Sequence, residues 1–86
     1  METMRDKFEK LVTDQLKTCC GTMLRLNELG FLNEKNVEYH YGMLEAVAFM
    51  GLRMELVKYS EYEGLTETIN MIYKEARGLI RDEEGK

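Results

Sequence analysis

The stretch LGFLNE at residues 29–34 decides how this chain folds. Gly30 follows a long amphipathic segment, where a glycine supplies the left-handed backbone that commonly closes a helix. Asn33 is a favourable N-cap, and Leu32 and Val37 have the spacing of a hydrophobic staple at the start of a second helix. Helices joined by so short a loop lie side by side in opposite directions. The stretch therefore predicts a long antiparallel helical hairpin.

The first helix is predicted over about residues 3–29, because apolar residues recur there every three or four positions. Gln15 falls inside this stripe, which predicts a buried amide that hydrogen-bonds a neighbouring helix. The adjacent Cys19 and Cys20 cannot join distant parts of a fold, so we expect two reduced thiols. The apolar stripe comprises Met4, Phe8, Leu11, Val12, Leu16, Cys19, Met23, Leu26 and Leu29.

The second helix is predicted over about residues 34–59 and is apolar on more than one side. Glycine costs about 1 kcal/mol inside a helix, so we expect Gly42 and Gly51 to allow the close approach of a neighbouring helix. One apolar stripe comprises Val37, Tyr41, Leu44, Ala48 and Leu52. The other stripe has heptad spacing, is called the methionine seam below, and comprises Met43, Val47, Met50, Met54 and Val57.

A third helix is predicted over about residues 65–81. Its start is left open between Ser60 and Thr66, because a capping box from Ser60 and Glu63 competes with a break at Gly64. The chain has no proline and its apolar spacing is helical throughout, so the fold class is all-α. We expect residues 1–81 to form a single helical domain and residues 82–86 to form a charged, frayed tail.

The apolar surface of helix two predicts self-association. A chain of 86 residues buries only roughly 64% of its unfolded surface, so a lone monomer is marginally stable. Two neighbouring helices can cover two stripes of helix two but not a third side. We therefore expect a symmetric homodimer that completes a helical bundle. The expected dimer interface comprises Met43, Val47, Phe49, Met50 and Met54.

We expect neither an export signal nor a membrane span in this chain. Residues 2–7 contain four charged side chains, unlike the apolar core of a signal peptide. The longest uncharged run near the apolar centre, residues 46–52, is far shorter than the ~20 residues of a membrane span. We expect a cytoplasmic protein that does not contact membranes.

The residues that carry catalysis are sparse. His40 is the only histidine and Ser60 the only serine, so a nucleophile with its base would rest on single residues without a supporting motif. Glu38 precedes His40 by two positions rather than the three of a di-metal bundle motif. A zinc site needs about four ligands, which this chain does not supply at suitable spacing. We expect no enzyme activity, no cofactor and no metal; a metal-dependent enzyme is a less favoured alternative.

The charge balance argues against direct binding to nucleic acids. The net charge is −4, whereas such proteins present a basic face. Helix three, where a recognition helix would lie, carries acidic and basic residues in balance. A small DNA-binding regulator is therefore another less favoured alternative.

Protein–protein interaction is the function that the sequence favours. The chain resembles, in general type, the small acidic helical proteins that phages and other mobile elements encode to bind host proteins. We expect a non-catalytic interaction module of that kind. The alternative is an inhibitor of a nucleic-acid-binding enzyme, such as a defence nuclease, because the window from residue 55 to 67 has a net charge of −3 and electronegative surfaces suit basic grooves. The predicted partner-binding acidic surface comprises Glu55, Tyr59, Glu61, Tyr62, Glu63 and Glu67.

Overall fold

The computed structural model describes residues 1–80 and is all-α. It contains α1 (Met4–Leu29), α2 (Glu34–Arg53) and α3 (Tyr59–Leu79). The predicted fold class and the number of helices are confirmed, and residues 1–80 contain no strand. Residue 81, at the predicted end of helix three, and the predicted tail at 82–86 lie outside the described residues.

The connection between α1 and α2 has the capping chemistry that the sequence predicts. Gly30 adopts φ 79°, and the amide of Phe31 donates to the carbonyl of Leu26 at 2.8 Å. This bonding pattern is a Schellman motif. Asn33 then caps α2, because its side chain accepts a hydrogen bond from the amide of Asn36 at 2.9 Å. The Phe31 side chain is 65% exposed.

The second helix ends earlier than predicted. It was expected to reach about residue 59, but α2 ends at Arg53. A second Schellman motif closes it: the amide of Leu56 donates to the carbonyl of Gly51 at 2.9 Å, and Glu55 takes the left-handed position with φ 59°. A non-glycine residue rarely occupies that position, so the sequence carries no visible stop signal there.

The third helix starts at Tyr59, one residue before the range from Ser60 to Thr66 that the sequence leaves open and about six residues before residue 65. Lys58 is its N-cap residue, and its amide donates to Oε1 of Glu61 at 2.7 Å. The capping box expected from Ser60 and Glu63 is wrong, because both residues lie within α3. Gly64 also lies within α3 and breaks nothing.

Two small clusters of buried side chains hold the helices together. Helix α2 lies between its neighbours and contributes to both clusters. The first contains Cys19, Leu44, Ala48 and Ile69. The second contains Met23, Leu32, Val37 and Ala76.

Gly51 leaves room for the Phe8 side chain of α1 to pack directly on α2. A Cβ atom built on Gly51 would overlap the ring of Phe8, so the expectation of a close approach is confirmed at this position. The same expectation is wrong for Gly42, where an added Cβ would meet no atom within 4 Å.

Candidate interaction surfaces

An apolar groove lies between the start of α1 and the end of α2. Its volume is about 250 Å³. The ring of Phe8, buried against Gly51, forms its floor. One wall comes from α1 and the other from α2 and the residues that follow it. The groove, called the α1–α2 groove below, is lined by Met4, Lys7, Phe8, Leu11, Val47, Met50, Met54 and Leu56.

Four apolar side chains in this lining are largely open to solvent. Met4 is 57% exposed and Leu11 46% on one wall, while Met50 is 56% and Met54 54% exposed on the other. Single exposed apolar residues are common on proteins, but a contiguous group on two walls of one groove is typical of a binding surface. Three of the eight lining residues are methionines, whose flexible thioether side chains adapt to a partner.

The structure brings together part of the predicted dimer interface. Val47, Met50 and Met54 line the α1–α2 groove. Met43 is half-buried and lies one helical turn before Val47 on the same stripe of α2. Phe49 lies about 100° around the helix from Met50 and does not line the groove; the guanidinium of Arg53 sits 5.7 Å from its ring centroid.

The α1 wall of the groove was not predicted as an interface. Met4 and Leu11 belong to the apolar stripe of α1, which the sequence assigns to contacts between helices. Helix α1 has 26 residues and α2 only 20. Since Phe8 packs at Gly51, near the end of α2, the turn of α1 that contains Met4 has little of α2 opposite it. This part of the α1 wall could have been predicted only from the early end of α2, and the sequence contains no recognisable signal for that end.

A smaller groove lies between α1 and α3 near the opposite end of the molecule. Its volume is about 140 Å³. Leu24 and Leu79 are its most exposed apolar residues, and the carboxylate-bearing Glu75 also lines it. This groove is smaller than the α1–α2 groove.

Two residues of the predicted acidic surface make contacts within the protein, and the other four are exposed. Glu61 accepts the amide hydrogen of Lys58 and forms an ion pair with Arg5 of α1. The hydrogen bond from Lys58, followed by the bond from Arg5, lowers the pKa of Glu61. Tyr62 packs against the first buried cluster. Glu61 and Tyr62 therefore take part in contacts that stabilise the fold.

The remaining members of the predicted acidic surface are exposed. Tyr59, Glu63 and Glu67 follow one another at four-residue intervals and share one face of α3. Glu55 is exposed in the turn that closes α2. The free part of the surface is thus a stripe of one tyrosine and two glutamates, with a third glutamate in the preceding turn.

The polar contact predicted for Gln15 is not made. Within residues 1–80 its buried Oε1 has no hydrogen-bond partner, so this prediction is wrong. Polar side chains join the helices elsewhere: Arg5 of α1 pairs with Glu61 of α3, and further contacts lie between α2 and α3. Tyr41 donates to Asn70 at 2.8 Å, and Arg77 donates to Glu34 at 3.0 Å.

The cysteines and the histidine have local, structural surroundings. Both thiols are free, and burial raises the pKa of Cys19 and of Cys20, which disfavours the reactive thiolate. Nδ1 of His40 lies 2.8 Å from the carbonyl oxygen of Asn36, one turn earlier in α2. Residues 1–80 contain no group of three or more side chains arranged to hold a metal ion. Nor does this part of the chain include a helix long and apolar enough to cross a membrane.

Comparison of the chain with models of known protein families, with curated proteins and with solved structures found no match in any of the three. Function is therefore inferred from the surfaces described above.

Proposed function

We propose that this protein is a non-catalytic protein-interaction module that acts through the α1–α2 groove. The observation that carries the proposal is the exposure of Met4, Leu11, Met50 and Met54 on facing walls of one groove. Covering apolar surface contributes about 25 cal/mol per Å². A partner that fills the groove therefore gains stability from side chains that the chain itself leaves in water.

The proposed arrangement is an antiparallel α1–α2 hairpin in a homodimeric bundle. Phe8, near the start of α1, packs at Gly51, near the end of α2. Met23, near the end of α1, shares a buried cluster with Val37, near the start of α2. These contacts support opposite helix directions. The exposed half of the methionine seam supports a second copy as the partner.

The experiment is a pair of charge substitutions in the methionine seam. Met50→Glu with Met54→Glu places two carboxylates on the α2 wall, where burial beside apolar groups is unfavourable. Light scattering should then report a monomer where the unmodified protein is a dimer. Met71→Glu is the matched control, because Met71 is exposed on α3 and does not line the groove. A dimer of unchanged stability in the double variant would contradict the proposal.

Inhibition of a nucleic-acid-binding enzyme is a second candidate function. It is supported by the exposed stripe of Tyr59, Glu63 and Glu67, since tyrosines are enriched at binding hot spots and acidic groups attract basic grooves. The variant Glu63→Lys with Glu67→Lys tests it in affinity capture from a host lysate. Capture of such an enzyme should fall and lose its salt dependence, whereas unchanged capture would show that the stripe is only a solvated face.

A further inference from the structure

The first half of α1 is held to the rest of the protein less firmly than the second half. In the second half, Cys19 and Met23 are buried, one in each of the two clusters. In residues 4–15, Phe8 is the only buried residue. Segments with few buried apolar contacts open locally before the rest of a protein unfolds. We infer that residues 4–15, called the α1 strap below, open as one unit from α2 and α3 while the remaining fold stays closed.

Two contacts link the outer end of the strap to the other helices. The ring of Phe8 packs directly on Gly51 of α2, and the guanidinium of Arg5 forms an ion pair with Glu61 of α3. The Arg5 and Glu61 side chains are 45% and 37% exposed, and solvent-exposed ion pairs contribute little stability. The packing of one aromatic ring therefore supplies most of the attraction that keeps this end of the strap closed.

Gln15, at the inner end of the strap, favours opening. Its Oε1 is buried and has no hydrogen-bond partner within residues 1–80. A buried carbonyl oxygen without a donor carries an uncompensated cost of desolvation, and it recovers that cost when water reaches it. The closed form is therefore destabilised at the point where the strap joins the firmly held half of α1.

Opening of the strap would dismantle the α1–α2 groove. Met4, Phe8 and Leu11 of the strap form one wall and the floor of the groove, so the groove is complete only in the closed form. A partner that fills the groove binds the closed form alone and shifts the equilibrium toward it. The inference itself concerns a single chain, so it stands or falls independently of the proposed homodimer.

Native-state amide hydrogen exchange of the full chain, followed for each residue by NMR spectroscopy, tests the inference. A helix as short as the strap is marginal in water without packing, so its amides exchange whenever it opens. We expect the amides of residues 8–15 to share one protection factor. That common value should be at least tenfold below the protection of the Met23 amide in the second half of α1.

Two substitutions should move the opening in opposite directions. Glu61→Gln removes the charge that pairs with Arg5 but keeps an oxygen that accepts the Lys58 amide, so exchange of the strap should rise about two- to fivefold. Gln15→Met removes the unpartnered oxygen from a side chain of similar size, so exchange should fall about tenfold. Arg77→Gln is the matched control, because it removes an exposed ion pair between α3 and α2 and should leave exchange of the strap unchanged.

Three results would overturn the inference. A gradual rise in protection from residue 8 to residue 15 would show that a helix end frays, without a unit that opens together. Equal protection of the strap and of Met23 would show that the protein opens only by unfolding as a whole. Faster exchange of the strap in Gln15→Met would show that the buried amide stabilises the closed form.

Discussion

The turn before α2 and the turn after it contain the same backbone motif, built from different residues. Both α1 and α2 end in a Schellman motif, with hydrogen bonds from Phe31 to Leu26 and from Leu56 to Gly51. In the first motif the left-handed position is a glycine, Gly30. In the second motif Glu55 occupies that position. A left-handed conformation costs a non-glycine residue roughly 1–2 kcal/mol, so the second turn is the less favourable of the two.

Side chains beside the first turn are also more buried than those beside the second turn. Leu32 and Val37, next to the first turn, are buried in a cluster with Met23 and Ala76. Next to the second turn, Met54 stays exposed and the α1–α2 groove stays open. The first end of α2 is closed by its own chain, whereas the second end leaves apolar side chains exposed to solvent.

The largest effect on stability is expected from Gly51→Ala, which disturbs the packing of Phe8 on Gly51 near the second end of α2. The added methyl group overlaps the Phe8 ring, and overpacking typically costs 1–3 kcal/mol. Urea unfolding should show a loss of about 2 kcal/mol. Gly42→Ala is the matched control in the same helix. Its Cβ meets no atom, so the better helix propensity should stabilise the protein by about 0.5–1 kcal/mol.

Equal effects of the two substitutions would contradict the packing of Phe8 on Gly51. A gain in stability at Gly51 would mean that the ring moves away freely. The α1–α2 groove would then lack a fixed floor.

A smaller loss is expected from Asn33→Ala at the first end. The substitution removes the side-chain acceptor that binds the amide of Asn36, and loss of an N-cap costs about 1 kcal/mol. Ser60→Ala is the control, because Ser60 resembles a cap in the sequence but lies inside α3. Thermal unfolding should detect a drop for Asn33→Ala only. A comparable drop for Ser60→Ala would contradict the observed start of α3 at Tyr59.

The left-handed residues provide a reciprocal pair of substitutions. Glu55→Gly relieves the backbone at the second turn but increases the entropy of the unfolded chain, so we expect a net gain of about 0.5–1 kcal/mol. Gly30→Ala should lose about 1 kcal/mol for the opposite reason. Denaturant midpoints measure both. If Glu55→Gly destabilises the protein instead, the turn does not have the geometry described.

The smallest effect concerns acid sensitivity at the second end. The pKa of Glu61 is lowered by its hydrogen bond from Lys58 and then by Arg5. The unfolded chain therefore binds this proton more readily than the folded chain does. Its contribution to stability is complete above the ordinary glutamate pKa of 4.5 and is lost as the pH falls through the lowered value.

Glu61→Gln should flatten the fall in stability below that pH. Asp6, whose pKa is lowered by the Thr3 amide, leaves a residual slope. The measurement is urea unfolding at a series of acidic pH values. An unchanged slope in Glu61→Gln would show that the link between α1 and α3 does not depend on this charge.

Residues with strong local preferences made the first end predictable. Gly30 and Asn33 indicate the end of α1 and the start of α2. The helical spacing of apolar residues on either side of them predicts the fold class. The second end offers no such residue: Glu55 in a left-handed turn and Lys58 as an N-cap are both unfavourable choices. The start of α3 is held by the local hydrogen bond from the Lys58 amide to Glu61 and by the ion pair of Glu61 with Arg5 of α1.

The candidate site was only half predictable for the same reason. Met50 and Met54 stand out from the heptad spacing of α2. Met4 is recognisable only when α2 is known to end at Arg53, because the turn of α1 that contains it then has little of α2 opposite. The early end of α2 does not account for the exposure of Leu11, which lies three residues after Phe8. Glu61 and Tyr62 are of residue types common on interaction surfaces, yet both side chains make contacts with other parts of the chain.

The most direct test of the open second end is an isotope-filtered NOE experiment on a mixture of two protein samples. One sample carries labelled methionine methyl groups, and the other is unlabelled. The methyl groups of Met50 and Met54 should show contacts with protons of the unlabelled copy, whereas Met71 on α3 should show none. Contacts between copies at Met71 alone, or none at any methionine, would contradict the proposal that a second copy covers the α1–α2 groove.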